Sequence, residues 1–176
     1  MIKNTVAMIF LLASASAFAG EFVVDNTHAY LGFEIKHLMS MVRGQFNDFD
    51  GKFTFDEKKP EKSKATFTIK TASIDTRNAK RDEHLKSPDF FDVAKNPAIT
   101  FVSKSVKAVS EHKYQIEGDL MMNGTTKKVT FDAVYNGTQS DPWGNTKLGF
   151  AATGKLNRKD FGLAWNKALD KGGFLL

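Results

Sequence analysis

From Leu31 onward, apolar side chains recur at every second residue. Leu31, Phe33 and Ile35 alternate with Gly32, Glu34 and Lys36, which puts the apolar set on one face of an extended strand and the polar set on the other. The same period returns at Phe53 and Phe55, at Phe67 and Ile69, and at Ile99 and Phe101. The longest series is Tyr114, Ile116, Gly118, Leu120 and Met122. It runs into Asn123-Gly124, a dipeptide that tolerates positive φ at both positions and so closes a tight hairpin. Val129, Phe131, Ala133 and Tyr135 follow, ended by Asn136-Gly137, and Leu148, Phe150, Ala152, Gly154 and Leu156 complete the set. About eight strands with turn signals between them predict a sandwich or barrel. Two segments break the period. Leu38–Met41 predicts one helical turn. Asn78–Lys86 predicts a helix stopped at Ser87-Pro88, because proline disfavours α geometry in the residue before it.

The apolar faces need a destination. A closed eight-stranded barrel fills its own interior or holds one ligand. Phe33, Phe46, Phe53, Phe55, Phe67, Phe101, Phe131 and Phe150 are the candidates to point inward. A packed core is the usual fate of such residues. Gly118, Ala133, Ala152 and Gly154 on the same face leave room for a pocket. Met39, Met41, Met121 and Met122 add adaptable apolar surface near strand ends. Periodicity alone leaves core and pocket both open.

Composition sharpens this in two places. The 176 residues include 16 Phe against 2 Trp and 3 Tyr, and no Cys. The missing thiols exclude a disulfide scaffold, a thiolate metal site and a thiol nucleophile. The net charge is +5, from 21 Lys and 4 Arg against 20 acids. The acids are mixed among the lysines, as in Asp56-Glu57-Lys58-Lys59, which describes a solvated cationic surface and not a nucleic-acid face.

Met1–Ala19 reads as an address label. Lys3, the unbroken apolar run Val6–Ala13 and the small-x-small end Ala17-Phe18-Ala19 make a cleaved secretory signal. The run is too short to cross a bilayer, so stable membrane insertion is not expected. The reading leaves 20–176 as one exported domain, and a cysteine-free exported domain points to a bacterial periplasm. Asn123-Gly-Thr and Asn136-Gly-Thr are then turns and not glycosylation sites.

No catalytic constellation emerges. His28, His37, His84 and His112 show no zinc-ligand spacing, and no metal or cofactor is expected. Phosphate-binding loops, a dinucleotide-binding glycine pattern and a nucleophile elbow are all missing. Asp89 and Asp92 flank Phe90-Phe91, an arrangement that local loop hydrogen bonding explains. One pattern has binding chemistry. Arg77 and Arg81 are four apart, with His84 and Leu85 one turn on, and paired guanidiniums suit an anionic head group. Salt bridging along the helix explains the same spacing.

Several longer segments carry a resemblance. They are Val42-Arg43-Gly44-Gln45-Phe46, the run from Lys80 to Val93, Pro97-Ala98-Ile99-Thr100-Phe101, Gly118-Asp119-Leu120, Asn123-Gly124-Thr125-Thr126-Lys127, and Asn157 to Asn166. In this order and over essentially the whole exported chain, they resemble the YceI-like polyisoprenoid-binding family. The resemblance implies an antiparallel lipocalin-like barrel with one short helix. It also implies an apolar tunnel for a long isoprenoid or quinone-like lipid, and a carrier, not an enzyme. Expected tunnel residues are Phe33, Ile35, Phe46, Phe53, Phe67, Ile69, Phe101, Ile116, Leu120, Phe131 and Phe150; expected head-group residues are Arg77, Arg81 and His84. An enzyme acting on the lipid head group and a ligand-free barrel working through a protein partner remain alternatives. Family members continue past Lys171-Gly172-Gly173 into an acidic turn and one more long strand, whereas Phe174-Leu175-Leu176 ends this sequence. That departure predicts a barrel short of its last strand, either a fragment or a homodimer.

Overall fold

The computed structural model describes residues 20–166. The expected leader Met1–Ala19 and the C-terminal Phe174-Leu175-Leu176 therefore lie outside the described residues. The described strands are β1 Glu21–Val23, β2 Gly32–His37, β3 Ser40–Phe46, β4 Phe49–Thr54, β5 Lys64–Lys70 and β6 Ile74–Asp75, then β7 Ala98–Ser110, β8 Lys113–Met122, β9 Thr125–Ser140 and β10 Thr146–Thr153. One α-helix, α1 Ala79–Lys86, stands between β6 and β7. Seven strands form one antiparallel sheet in the order β1-β4-β5-β7-β8-β9-β10, and β2-β3-β6 form a second. The fold is mainly β, with the large sheet curled as a half-barrel. The curl brings Phe53 of β4 within 5.6 Å of Phe150 on β10, strands far apart in the sheet order. Lys147 of β10 pairs with Asp25, just after β1, at 3.1 Å and so ties the two margins of that sheet.

Alternation located the long strands and missed short or interrupted ones. β1 and β6 have three and two residues, too few to show a period. In β3 the inward series is Val42, Gly44, Phe46, and the glycine removes its apolar marker. The helical turn expected at Leu38–Met41 is a hairpin tip instead. His37 pairs with Ser40, so the β2–β3 ladder continues to within two loop residues of its end. The helix agrees with expectation but starts one residue later, because Asn78 serves as its cap and accepts from the Arg81 N–H at 3.0 Å. That bond satisfies one of the donors a helix start leaves over.

Of the two Asn-Gly pairs, one turns the chain. Asn123 and Gly124 hold φ at 50° and 71° and join β8 to β9. Asn136-Gly137 lies inside β9 as a bulge. Gly149 faces Gly137 while Phe150 faces Tyr135, which leaves Asn136 without an opposite number.

The expected use of Gly118 and Gly154, two of the four small inward residues, is also corrected, and Gly44 and Gly51 behave as they do. A Cβ on Gly44, Gly51, Gly118 or Gly154 would come within 3.0 Å of a ring atom of Phe33, Phe67, Phe101 or Phe131 respectively. These glycines do not line a void: each is the seat of a phenylalanine from elsewhere in the fold.

Candidate functional site

The interior has two aromatic regions. The larger lies where β3 passes into β4. Phe46, Phe49, Ile69, Ile99, Leu120 and Met122 from strand ends are buried with Phe90 and Phe91 from the loop after α1 and with Phe161 and Leu163 from beyond β10. This end is roofed by chain. Phe161 is only 2% exposed, on a 3₁₀ turn Arg158–Phe161 capped by Asn157. The roof's backbone carbonyls are collected by side chains. Asn96 Nδ2 donates to the Phe91 carbonyl at 3.2 Å and to Asn123 Oδ1 at 2.9 Å. Asn123 Nδ2 donates in turn to the Phe161 carbonyl at 3.1 Å. Arg158 donates to the carbonyls of Leu163 and, at 2.9 Å, Trp165. Burial lowers the Arg158 pKa from its ordinary value. Buried carbonyls without partners are costly, so these contacts let loops close over an apolar interior.

The opposite end is finished by rings. Phe55 lies 4.9 Å from both Tyr135 and Phe150 and 5.4 Å from Tyr114, centroid to centroid. Phe53 joins through Phe150, and Phe22 stacks on Phe53 at 5.5 Å. Val106 and Ala133 form the floor with the two tyrosines. Phe150 stays 37% exposed, so the ring group meets the surface at this residue. Burial, then the nearby Glu57 carboxylate and Tyr135, push the Tyr114 hydroxyl above its usual pKa. At the rim, His112 pairs with Glu57 at 3.3 Å and meets the Tyr135 ring edge-on.

The expected tunnel residues divide between these regions. Phe46, Ile69, Phe101 and Leu120 are buried in the larger cluster, with Phe33, Phe67, Ile116 and Phe131 packed against it. Phe53 and Phe150 belong to the open ring group. Ile35 is half-buried on the β2–β3 hairpin opposite Val42 and joins neither cluster.

The expected head-group residues do not make a shared face. Arg77 precedes the helix with φ at 61° and is exposed. Arg81 turns back on the chain, where its Nε donates to Thr76 Oγ1 at 2.7 Å and its Nη2 to the Thr76 carbonyl at 2.8 Å. His84 meets Asp89 at 2.7 Å and packs edge-on against Phe90 and Trp165. A four-residue spacing implies one face only if both residues are helical, and here the helix begins at Ala79. Sequence reasoning missed Phe90, Phe91, Phe161, Leu163 and Trp165 as interior residues, because they stand in loops where no period marks them. No group of three or more His, Cys, Asp or Glu is placed to hold a metal ion among the described residues.

The model of the YceI-like domain matches residues 22–174. The chain belongs to the YceI-like family. A UPF0312 protein of Serratia proteamaculans (strain 568) is 47% identical over 170 residues, covering 93% of this chain and 88% of that one. A UPF0312 protein of Pseudomonas putida (strain GB-1) is 45% identical over the same shares. Among solved structures, the Campylobacter jejuni YCEI protein is 38% identical with a TM-score of 0.66, covering 79% of this chain and 82% of that one. Burkholderia cenocepacia BcnA superposes with a TM-score of 0.73 at 24% identity, covering 78% and 83%, a likeness of fold. No helix among the described residues is long and apolar enough to cross a membrane.

Proposed function

We propose that this protein is a periplasmic carrier that holds the tail of a long-chain isoprenoid lipid, polyprenyl or quinone-like, in its apolar interior. The observation that carries the reading is the open ring group. An aromatic interior continuous with the surface at Phe150 gives a chain of isoprene units a way in from water. Family membership and the polyisoprenoid-binding resemblance support the ligand class. The energetics suit a tail. Each CH₂ taken out of water contributes about 0.8 kcal/mol before ordering costs are subtracted. A long tail therefore binds without specific polar contacts. The roofed end is the blind end. Arg77, Arg81 and His84 belong to its outside or are already engaged, so the reading places the head group at the other rim, near Tyr114, Tyr135 and His112.

Protein purified from the periplasm of its own host, extracted with organic solvent and analysed by mass spectrometry, tests this. The expected result is a prenyl lipid at near-stoichiometric amount, on a polypeptide whose intact mass begins at Gly20. Repeated recovery of an empty protein overturns the carrier reading, and a retained Lys3 overturns the export reading.

A further inference from the structure

One strand of the small sheet is paired on a single side. β2 lies against β3, and among the described residues no strand pairs with its other edge. The Phe46 N–H donates to the Leu31 carbonyl at 2.9 Å, beside the Gly32–Gln45 pair that begins the ladder. That bond fixes the phase. Leu31, Phe33, Ile35 and His37 turn their backbone groups toward β3, so Gly32, Glu34 and Lys36 turn theirs outward. No hydrogen-bond partner meets those outward groups among the described residues. An edge left in this state is a template for another strand. The hairpin also projects. β3 enters the roofed cluster at Phe46 and β4 leaves it at Phe49 toward the open rings, so the hairpin tip lies beyond the roof.

The side chains along this edge are self-complementary. Two copies joined antiparallel at β2 about a two-fold axis can place Ile35 opposite Ile35. Glu34 of each copy then stands opposite Lys36 of the other, and both pairs are of the kind that exchanges N–H···O bonds. Sliding one step of the same phase in either direction sets Glu34 against Glu34 or Lys36 against Lys36. Like charges directly opposite are unfavourable, so charge selects one register. Glu34 already holds Arg43 at 2.6 Å, while Lys36 is exposed and has no ion pair among the described residues. The same register accounts for two exposed apolar side chains. Tyr30 is 73% exposed, with its ring over Gly32. Leu38 is 45% exposed just past the end of β2. In this register Leu38 of one copy falls opposite Gly32 of the other, beside that Tyr30 ring.

We infer that β2 pairs with β2 of a second copy of this chain, with Ile35 at the two-fold axis, so that two three-stranded sheets become one. Each copy offers this edge once, so the pairing closes at a dimer. A pairing this short falls below the roughly 1,600 Å² of a standard interface, so association is weak and depends on concentration. The dimer does not depend on lipid binding. A homodimer was open from the sequence as the answer to a short barrel, whereas this edge, its register and its charges belong to β2.

Sedimentation equilibrium of the purified protein over a range of concentrations tests the pairing. The expected result is a mass that rises from that of one chain toward twice that value. Lys36→Glu should weaken association about tenfold, because each Glu–Lys pair becomes Glu–Glu. Glu34→Lys should do the same by making Lys–Lys pairs. Mixed in equal amounts, the two variants should associate nearly as tightly as wild type, since every pair is again opposite in charge. Both positions are exposed, and closely similar melting temperatures would show that the variants are folded. A wild type that stays monomeric up to its solubility limit overturns the pairing. So does a mixture that associates no better than either variant alone. Amide hydrogen exchange identifies a rival occupant. Protection at Glu34 and Lys36 that rises with concentration supports the dimer. Protection that is the same at every concentration means that the chain covers its own edge, and overturns it.

Discussion

The two ends of the interior are built from the same kind of side chain and finished differently. At one end Phe90, Phe91, Phe161 and Leu163 arrive on loops, and Asn96, Asn123 and Arg158 bind the carbonyls that those loops would otherwise leave unsatisfied. At the other, Phe53, Tyr114, Tyr135 and Phe150 from strands and Phe55 from just after β4 meet ring to ring, and Phe150 remains in contact with water. The difference teaches what makes an apolar interior closed. Apolar contact alone does not roof it, because a roof is backbone, and buried backbone needs polar partners. Where those partners are supplied the interior is sealed. Where only rings supply the finish, one of them, Phe150, stays partly exposed.

The contrast breaks first at Phe161. Replacing this 2% exposed ring with alanine should cost about 3–5 kcal/mol, read by urea denaturation, because a roof tied by hydrogen bonds cannot collapse into the cavity. A loss below about 1 kcal/mol would show that the roof is dispensable. Next comes Asn123→Gly, which keeps the positive φ and removes only the side chain. It should cost about 1–3 kcal/mol by leaving the Phe161 carbonyl unpartnered. A neutral outcome would mean that water replaces the amide.

Phe150→Ala sharpens the other side. Stability should fall by about 1–2 kcal/mol, because the ring is 37% exposed and has less apolar area to give back to water than Phe161. Co-purifying lipid should fall much more. Equal losses in both measurements would make the two ends alike.

The smallest effect is expected at the sheet margins. The Asp25 carboxyl is held well below its ordinary pKa, first by the Thr27 hydroxyl and then by Lys147 and His28. The folded state thus binds this proton less readily than the unfolded chain. The stabilisation is present above the unfolded pKa, close to 4, and fades as the pH falls below it. Melting temperatures measured down an acid series should drop more steeply for wild type than for Asp25→Asn. Parallel curves would remove Asp25 from the account.

Much of the large sheet was legible because a strand with one wet face writes its geometry as alternation. β7, β8 and β9 carry the period at Phe101, Leu120 and Phe131, and the Asn123-Gly124 turn announces itself by residue type. The roof left no such trace. Phe90, Phe91 and Phe161 are fixed by loop path and by side chains that cap carbonyls, and neither has a period. The β2–β3 tip misled for a related reason: Leu38-Met39 carries no turn residue although it makes a tight turn. The Arg77–Arg81 pairing failed at a helix boundary, where one residue decides whether two side chains share a face. The open ring group was half legible. Its phenylalanines were in the alternating set, but nothing local shows that Phe53 and Phe150 face each other across a curled sheet.

The ring-seated glycines bear on how this protein would be engineered. Substituting alanine for glycine in regular structure is a standard route to thermostability, since it narrows the unfolded ensemble. Gly44, Gly51, Gly118 and Gly154 would all qualify on backbone grounds, as none of them holds a positive φ. At each of them the route runs backwards. The methyl group would arrive where Phe33, Phe67, Phe101 or Phe131 already stands, and at Gly118 it would also meet the Val102 carbonyl, which cannot swing aside. A stabilisation campaign on this fold does better to leave these four residues alone and to work on the loops.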